Sequence, residues 1–170
     1  NAQTVINQAL EQADGGTVYL LKGTYYCTNA ISILKNGATL CGDGINTDIN
    51  AECDNRCIHV IADNVTIKNL QIDFTDTHAG SGQYQGAIHL NSAGDVAAEY
   101  CTIENTTISC SGHAISDAEI SSSSRIGMYT RIINNTLNPG VGITAYSFRN
   151  ENKFLSGNIV NNEFTDSLEV

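Results

Sequence analysis

The apolar positions of this chain recur with one long period. Ile67-Lys68-Asn69-Leu70-Gln71-Ile72 returns as Ile103-Glu104-Asn105-Thr106-Thr107-Ile108, as Ile132-Ile133-Asn134-Asn135-Thr136-Leu137 and as Ile159-Val160-Asn161-Asn162-Glu163-Phe164. A degenerate first copy is Leu40-Cys41-Gly42-Asp43-Gly44-Ile45. The anchors Leu40, Ile67, Ile103, Ile132 and Ile159 stand 27, 36, 29 and 27 residues apart. A second ladder (Ile31, Ile58, Ile88, Ile115, Ile143) keeps step with them, and a third is expected at Ile45, Ile72, Ile108, Leu137 and Phe164. Such a period marks stacked units that cannot bury an apolar face alone.

Each unit holds short β-branched runs, alternating as in Ile31-Ser32-Ile33 and Ile88-His89-Leu90, broken by Gly, Asn, Asp and Ser. About 27 residues makes three short strands and three turns, one coil of a parallel β-helix with equivalent residues roughly 4.8 Å apart. The expected fold is therefore all-β, a right-handed parallel β-helix of about five coils. Asn69, Asn105, Asn134 and Asn161 are expected to form a buried amide column at a turn, because stacked amides bond one another and Asn tolerates left-handed backbone.

Only residues 2–13 read as a helix, with Val5, Ile6, Ala9, Leu10 and Ala13 on one face and Gly15-Gly16 ending it. Residues 1–16 are read as an N-terminal cap and 17–170 as the β-helix. The 36-residue spacing places one insertion between Asp73 and Gly86, and Asn46 to Arg56 reads as a second irregular stretch.

The opening helix, Gly16-Thr17-Val18-Tyr19-Leu20, Gly23-Thr24-Tyr25 and Thr39-Leu40-Cys41-Gly42-Asp43-Gly44 resemble the start of right-handed β-helix proteins of the pectate-lyase-like superfamily. The later coils are similar to its generic repeat. The resemblance implies the fold and the outer face of a sheet as a place for polysaccharide chemistry; it does not choose a reaction. Asn46-Thr47-Asp48, Gly112-His113-Ala114 and Arg125-Ile126-Gly127 echo polygalacturonase motifs, but the paired Asp between them is missing and an inverting hydrolase needs two carboxylates. Asp76-Thr77-His78 distantly echoes alginate epimerases. No cofactor is expected; calcium is the one cation that lyase chemistry would introduce.

Alternation sends Ser32, His59, His89, Ser116 and Thr144 outward from one sheet. His59 and His89 are then neighbours, with Asp76, His78, Asp73 and Tyr84 supplied by the insertion. In an enzyme, His59, His89, Asp76 and His78 are the candidate acid/base or metal-binding groups; otherwise they form a solvated polar column. Tyr19, Tyr25 and Tyr26 read as sheet packing before sugar stacking.

The chain has a net charge of −10 with only 15% charged residues. That repels nucleic acid and anionic membranes, and it weighs against acidic polysaccharides unless a cation bridges. No apolar run is long enough to span a membrane. Six cysteines (Cys27, Cys41, Cys53, Cys57, Cys101 and Cys110) are expected to form disulfides in an oxidising compartment, which makes the chain a secreted, extracellular or cell-surface one. Starting at Asn1, with Met128 as the single Met, the chain reads as having lost a leader or been cut from something longer. Of three glycosylation sequons, Asn64, Asn105 and Asn134, the last two fall in the expected interior column, leaving Asn64 as the glycan site.

Residues after Phe164 are too few to cap a solenoid end, and an open strand edge invites pairing. The favoured expectation is thus a structural protein that self-assembles into a sheath, surface layer or filament. Ile143, Ile159, Phe164, Leu168 and Val170 would lie at the contact, and cysteines would lock it. The alternative is a polysaccharide-active lyase, epimerase or hydrolase, or part of one; a passive carbohydrate-binding module is the remainder.

Overall fold

A computed structural model describes residues 1–77, 86–90, 98–111, 113–116, 130–138, 146–147 and 159–164, with backbone alone at 146, 147 and 164. Helix α1 (Ala2–Ala13) opens the chain, and Asp14 closes it in left-handed geometry at φ 45°. Its buried stripe is Gln3, Ile6 and Leu10. Val5, expected on that face, is 66% exposed.

Three strands then recur per coil: β1 (Thr17–Tyr19), β2 (Gly23–Cys27) and β3 (Ile31–Ile33), followed by β4 (Thr39–Cys41), β5 (Thr47–Cys53) and β6 (Arg56–Val60). The next two coils are β7 (Thr66–Lys68), β8 (Gln71–Asp76) and β9 (Gly86–Leu90), then β10 (Thr102–Glu104), β11 (Thr107–Cys110) and β12 (His113–Ser116). After them come β13 (Arg131–Ile133), β14 (Thr136–Asn138), β15 (Tyr146–Ser147), β16 (Ile159–Val160) and β17 (Glu163–Phe164). The first sheet is β1-β4-β7-β10-β13-β16, the second β17-β14-β11-β8-β5-β2, the third β15-β12-β9-β6-β3. Neighbours pair in parallel throughout, as in β7 with β10 and β10 with β13. The molecule is an all-β parallel β-helix with one N-terminal helix.

The first apolar ladder stands as read. Leu40 pairs with Ile67, Ile67 with Ile103, Ile103 with Ile132 and Ile132 with Ile159. Val18 adds a rung beneath Leu40. The second holds through Ile31, Ile58, Ile88 and Ile115. On the next coil the backbone of Tyr146 stands opposite Ile115, and Ile143, expected as the fifth rung, lies outside the described residues. The third ladder is corrected at its base, where Ile49, not Ile45, pairs with Ile72. A 3-10 turn at Gly44–Asn46 adds four residues to this corner and lifts Ile45 out, 71% exposed, while Ile49 is fully buried. Gly42 permits that detour, because a Cβ there would stand 2.6 Å from the Thr47 methyl. Asn46 to Arg56 is consequently mostly strand β5, not an irregular loop.

The amide column is shifted by one residue. Asn69, Asn105, Asn134 and Asn161 do occupy the turn, with φ of 54°, 50°, 55° and 54°, but they point away from the interior. Left-handed backbone needs a residue that tolerates it, and Asn does so by local side-chain bonding. The next position turns inward, where Leu70, Thr106 and Asn135 are buried. Asn135 Nδ2 donates to Ile103 O and to Asn162 Oδ1, both at 3.0 Å, and its Oδ1 accepts from Thr106 N at 3.0 Å. Asn162 repeats this toward Ile132 O at 2.9 Å. The sequon residues Asn105 and Asn134 are therefore exposed, as is Asn64, and the interior argument against glycans on the first two does not hold.

Candidate functional site

The third sheet carries the polar row along one face. Ser32 pairs with His59, His59 with His89, and His89 with Ser116. The backbone of Ser147 stands opposite Ser116 on the next coil, and Thr144 lies outside the described residues. The His59 and His89 ring centroids lie 5.6 Å apart at 47°. His89 Nδ1 is 2.9 Å from Ser116 Oγ. Arg56 Nη1 is 3.2 Å from His59 Nε2. A guanidinium can only donate, so that ring nitrogen accepts.

This face is not simply solvated. His89 is 2% exposed and Ser116 1%, whereas His59 and Arg56 are half-buried. Burial, then the charge of Arg56, then His59, push the His89 pKa down to about 3. At neutral pH His89 is an uncharged hydrogen-bonding group, poorly suited to donate a proton. Burial also pulls the Arg56 pKa down, with Asp54 opposing.

Arg56 is the member that the sequence reading missed. Strict alternation puts residues three apart on opposite faces. Here Cys57 and Ile58 are both buried, so the alternation breaks and Arg56 joins the side of His59. Two consecutive core residues at the start of a strand, Cys-Ile, are the signal that could have found it.

Asp76 ends β8 opposite Cys53 and reaches the corner before Arg56, where its Oδ1 accepts from Asn55 N at 3.0 Å. Its own N–H donates to Ser111 Oγ at 2.8 Å. His78 and Tyr84, like Leu168 and Val170, lie outside the described residues. Among the described residues no three His, Cys, Asp or Glu side chains gather as a metal site.

The hydrolase echoes fall apart in space. Asp48 is on β5 of the second sheet and His113 on β12 of the third; Arg125 lies outside the described residues. Asp48 has a different interest. Its Oδ1 is buried with no hydrogen-bond partner among the described residues, and burial followed by the neighbouring Asp73 charge raises its pKa. Asp73 itself accepts from Gln71 Nε2 at 3.0 Å.

No disulfide joins any of the six cysteines in this structure. Cys27 shares an inward register with Ala51, Phe74 and Cys110. Cys57 is fully buried, and burial raises its pKa well above the ordinary thiol value. Burial raises Cys53 to about 11 and Cys101 to about 12. Free cysteines placed so behave as small apolar side chains.

Fold and face together define a parallel β-helix protein with a semi-buried Arg–His–His–Ser row across three coils. A family model described as Rhamnogalacturonase A/epimerase, pectate lyase-like matches residues 1–168, and the chain belongs to that family. Among solved structures the chain is similar to ORF18 of Geobacillus virus E2, at 16% identity and a TM-score of 0.54, over 94% of this chain and 41% of that one. At that identity the likeness concerns the fold, and the chain spans about two fifths of that protein's length. No curated protein matches the sequence. Among the described residues no helix is long and apolar enough to cross a membrane.

Proposed function

We propose that this chain is the glycan-engaging β-helix of a secreted, polysaccharide-directed protein, and that it works through the outer face of the third sheet. The observation that carries the reading is the 3.2 Å contact between Arg56 and His59 on that face. A half-buried guanidinium is suited to a sugar carboxylate, which it holds by paired charge-assisted hydrogen bonds. The family description, with its rhamnogalacturonase and epimerase, supports a carbohydrate ligand. Secretion belongs to the same reading, since such polymers lie outside cells. His89 serves by holding Ser116 and the ring of His59 in place, not by moving protons. Asp76, held at the adjoining corner by Asn55 N, is the candidate carboxylate for any acid–base step.

The test is binding of purified protein to galacturonate-containing and neutral polysaccharides by affinity electrophoresis. Retardation by the galacturonate polymer, weakened about tenfold or more in Arg56→Ala, is expected for a charge-assisted contact of roughly 1.5–3 kcal/mol. Absence of retardation by any polymer, or retardation unchanged in the variant, overturns the reading.

Self-assembly into a sheath or filament is the second reading, and one observation favours it. Ile159 is 41% exposed, while Leu40, Ile67, Ile103 and Ile132 on the same ladder are buried. A second copy laid against β16 would cover that rung. Sedimentation of reduced protein decides it: a monomer at high concentration removes this reading.

A further inference from the structure

Helix α1 and strand β3 border an open pocket of about 610 Å³ at the head of the third sheet. Its helix side presents Thr4, Gln8 and Gln12; its sheet side presents Ser32 and Leu34 above a floor that includes Leu10. Ser32 begins the same outward row that continues to His59. The volume lies within the range of small-molecule sites, which pair apolar walls with a few polar groups.

The chemistry of the lining narrows the ligand. Lys35 is engaged, with Nζ 2.9 Å from Glu11 and 3.6 Å from Asp14, so its charge is compensated and an anion gains little there. Glu11 is compensated by the same contact, which disfavours a cation. An added peptide strand is blocked as well. Asn7 Oδ1 accepts from Ser32 N at 2.9 Å and its Nδ2 donates to Ala30 O at 3.4 Å, so those edge groups of β3 are already taken. What remains are neutral amides and hydroxyls that both donate and accept, beside leucine surface. That combination fits the hydroxyls and C–H faces of an uncharged sugar.

We infer that the α1–β3 pocket is a subsite for a neutral sugar unit of a glycan whose charged units lie further along the third sheet. The inference rests on the proposed carbohydrate function for its continuity with Arg56. It also gives α1 a second use: beyond capping the coil, the helix closes one end of the binding face.

Hydrogen exchange on the full chain, with neutral trimers of glucose, galactose or rhamnose and separately with a galacturonate trimer, tests it. At least one neutral trimer is expected to slow exchange across Thr4–Gln12 and Ser32–Ala38. In the Gln8→Ala/Gln12→Ala double variant, with its melting curve confirming the fold, the affinity read from this protection falls about tenfold, as two lost hydrogen bonds imply. Gln8→Trp, which intrudes on the pocket, should weaken the protection further. No protection of these segments by any neutral trimer, or protection undiminished in the variants, overturns the subsite. Arg56→Ala separates the two proposals. Pocket protection without galacturonate binding leaves the subsite standing and fells the charged-face reading; the converse fells the subsite alone.

Discussion

His89 Nδ1 and Ser116 Oγ stand 2.9 Å apart on adjacent coils, both sealed from solvent. A nucleophile beside a base invites a catalytic reading. The environment argues otherwise, because a ring whose pKa is near 3 is a weak base. The pair is better understood as a polar rivet beneath the more accessible Arg56 and His59.

That environment makes stability depend on pH. The folded pKa of His89 is depressed, to about 3 from 6.5, so the unfolded chain binds the proton more readily. Its contribution is therefore complete above about pH 6.5 and is lost as pH falls toward 3. Urea midpoints measured from pH 7 to pH 4 should drop in the native sequence and drop less in His89→Gln.

Asp48 carries the opposite sign. Burial and Asp73 raise its folded pKa, so ionisation above its ordinary 3.8 works against the fold. Asp48→Asn should raise the urea midpoint at pH 7. The gain should vanish toward pH 3, where the carboxyl is protonated in both states.

Ile49→Ala should cost about 2–5 kcal/mol, as deletion of buried methyl groups does. Ile45→Ala, four positions earlier and largely exposed, should stay within about 0.5 kcal/mol of the parent. Chemical denaturation of the two variants distinguishes the observed ladder from the one read off the repeat.

Asn135→Leu removes three bonds and strands Thr106 N and Ile103 O, at about 1–3 kcal/mol for each buried group left unpaired. Asn105→Gly, on the outer left-handed position, should be nearly neutral, since glycine accepts that backbone freely. Equal losses in the two variants would move the buried column back to the first Asn.

Thiol labelling reports on the cysteines. In native protein at pH 8, Cys57 and Cys101 should resist an aromatic disulfide reagent, being buried with raised pKa values. In guanidinium without reductant all six should react, since no disulfide joins them. A lower count in denaturant would restore the disulfides expected from composition.

The repeat of apolar anchors determined most of this architecture by itself. Leu40, Ile67, Ile103, Ile132 and Ile159 stack because a coil of fixed length returns each of them to the same place one strand spacing on. Residues 2–13 likewise announced their helix through a periodic apolar face. The sequence also brought His59 and His89 together, since period-2 alternation and the coil period suffice for that. What it did not determine were the positions where a short local deviation changes the phase. The turn at Gly44–Asn46 replaced Ile45 by Ile49, and a left-handed residue at each corner turned the second Asn inward instead of the first. The break in alternation at Cys57-Ile58 brought Arg56 to His59. Burial belongs to the tertiary structure for a related reason. Alternation says which way His89 leaves the strand, but only the packing above the sheet decides whether water reaches it, and hence whether its ring can carry a proton.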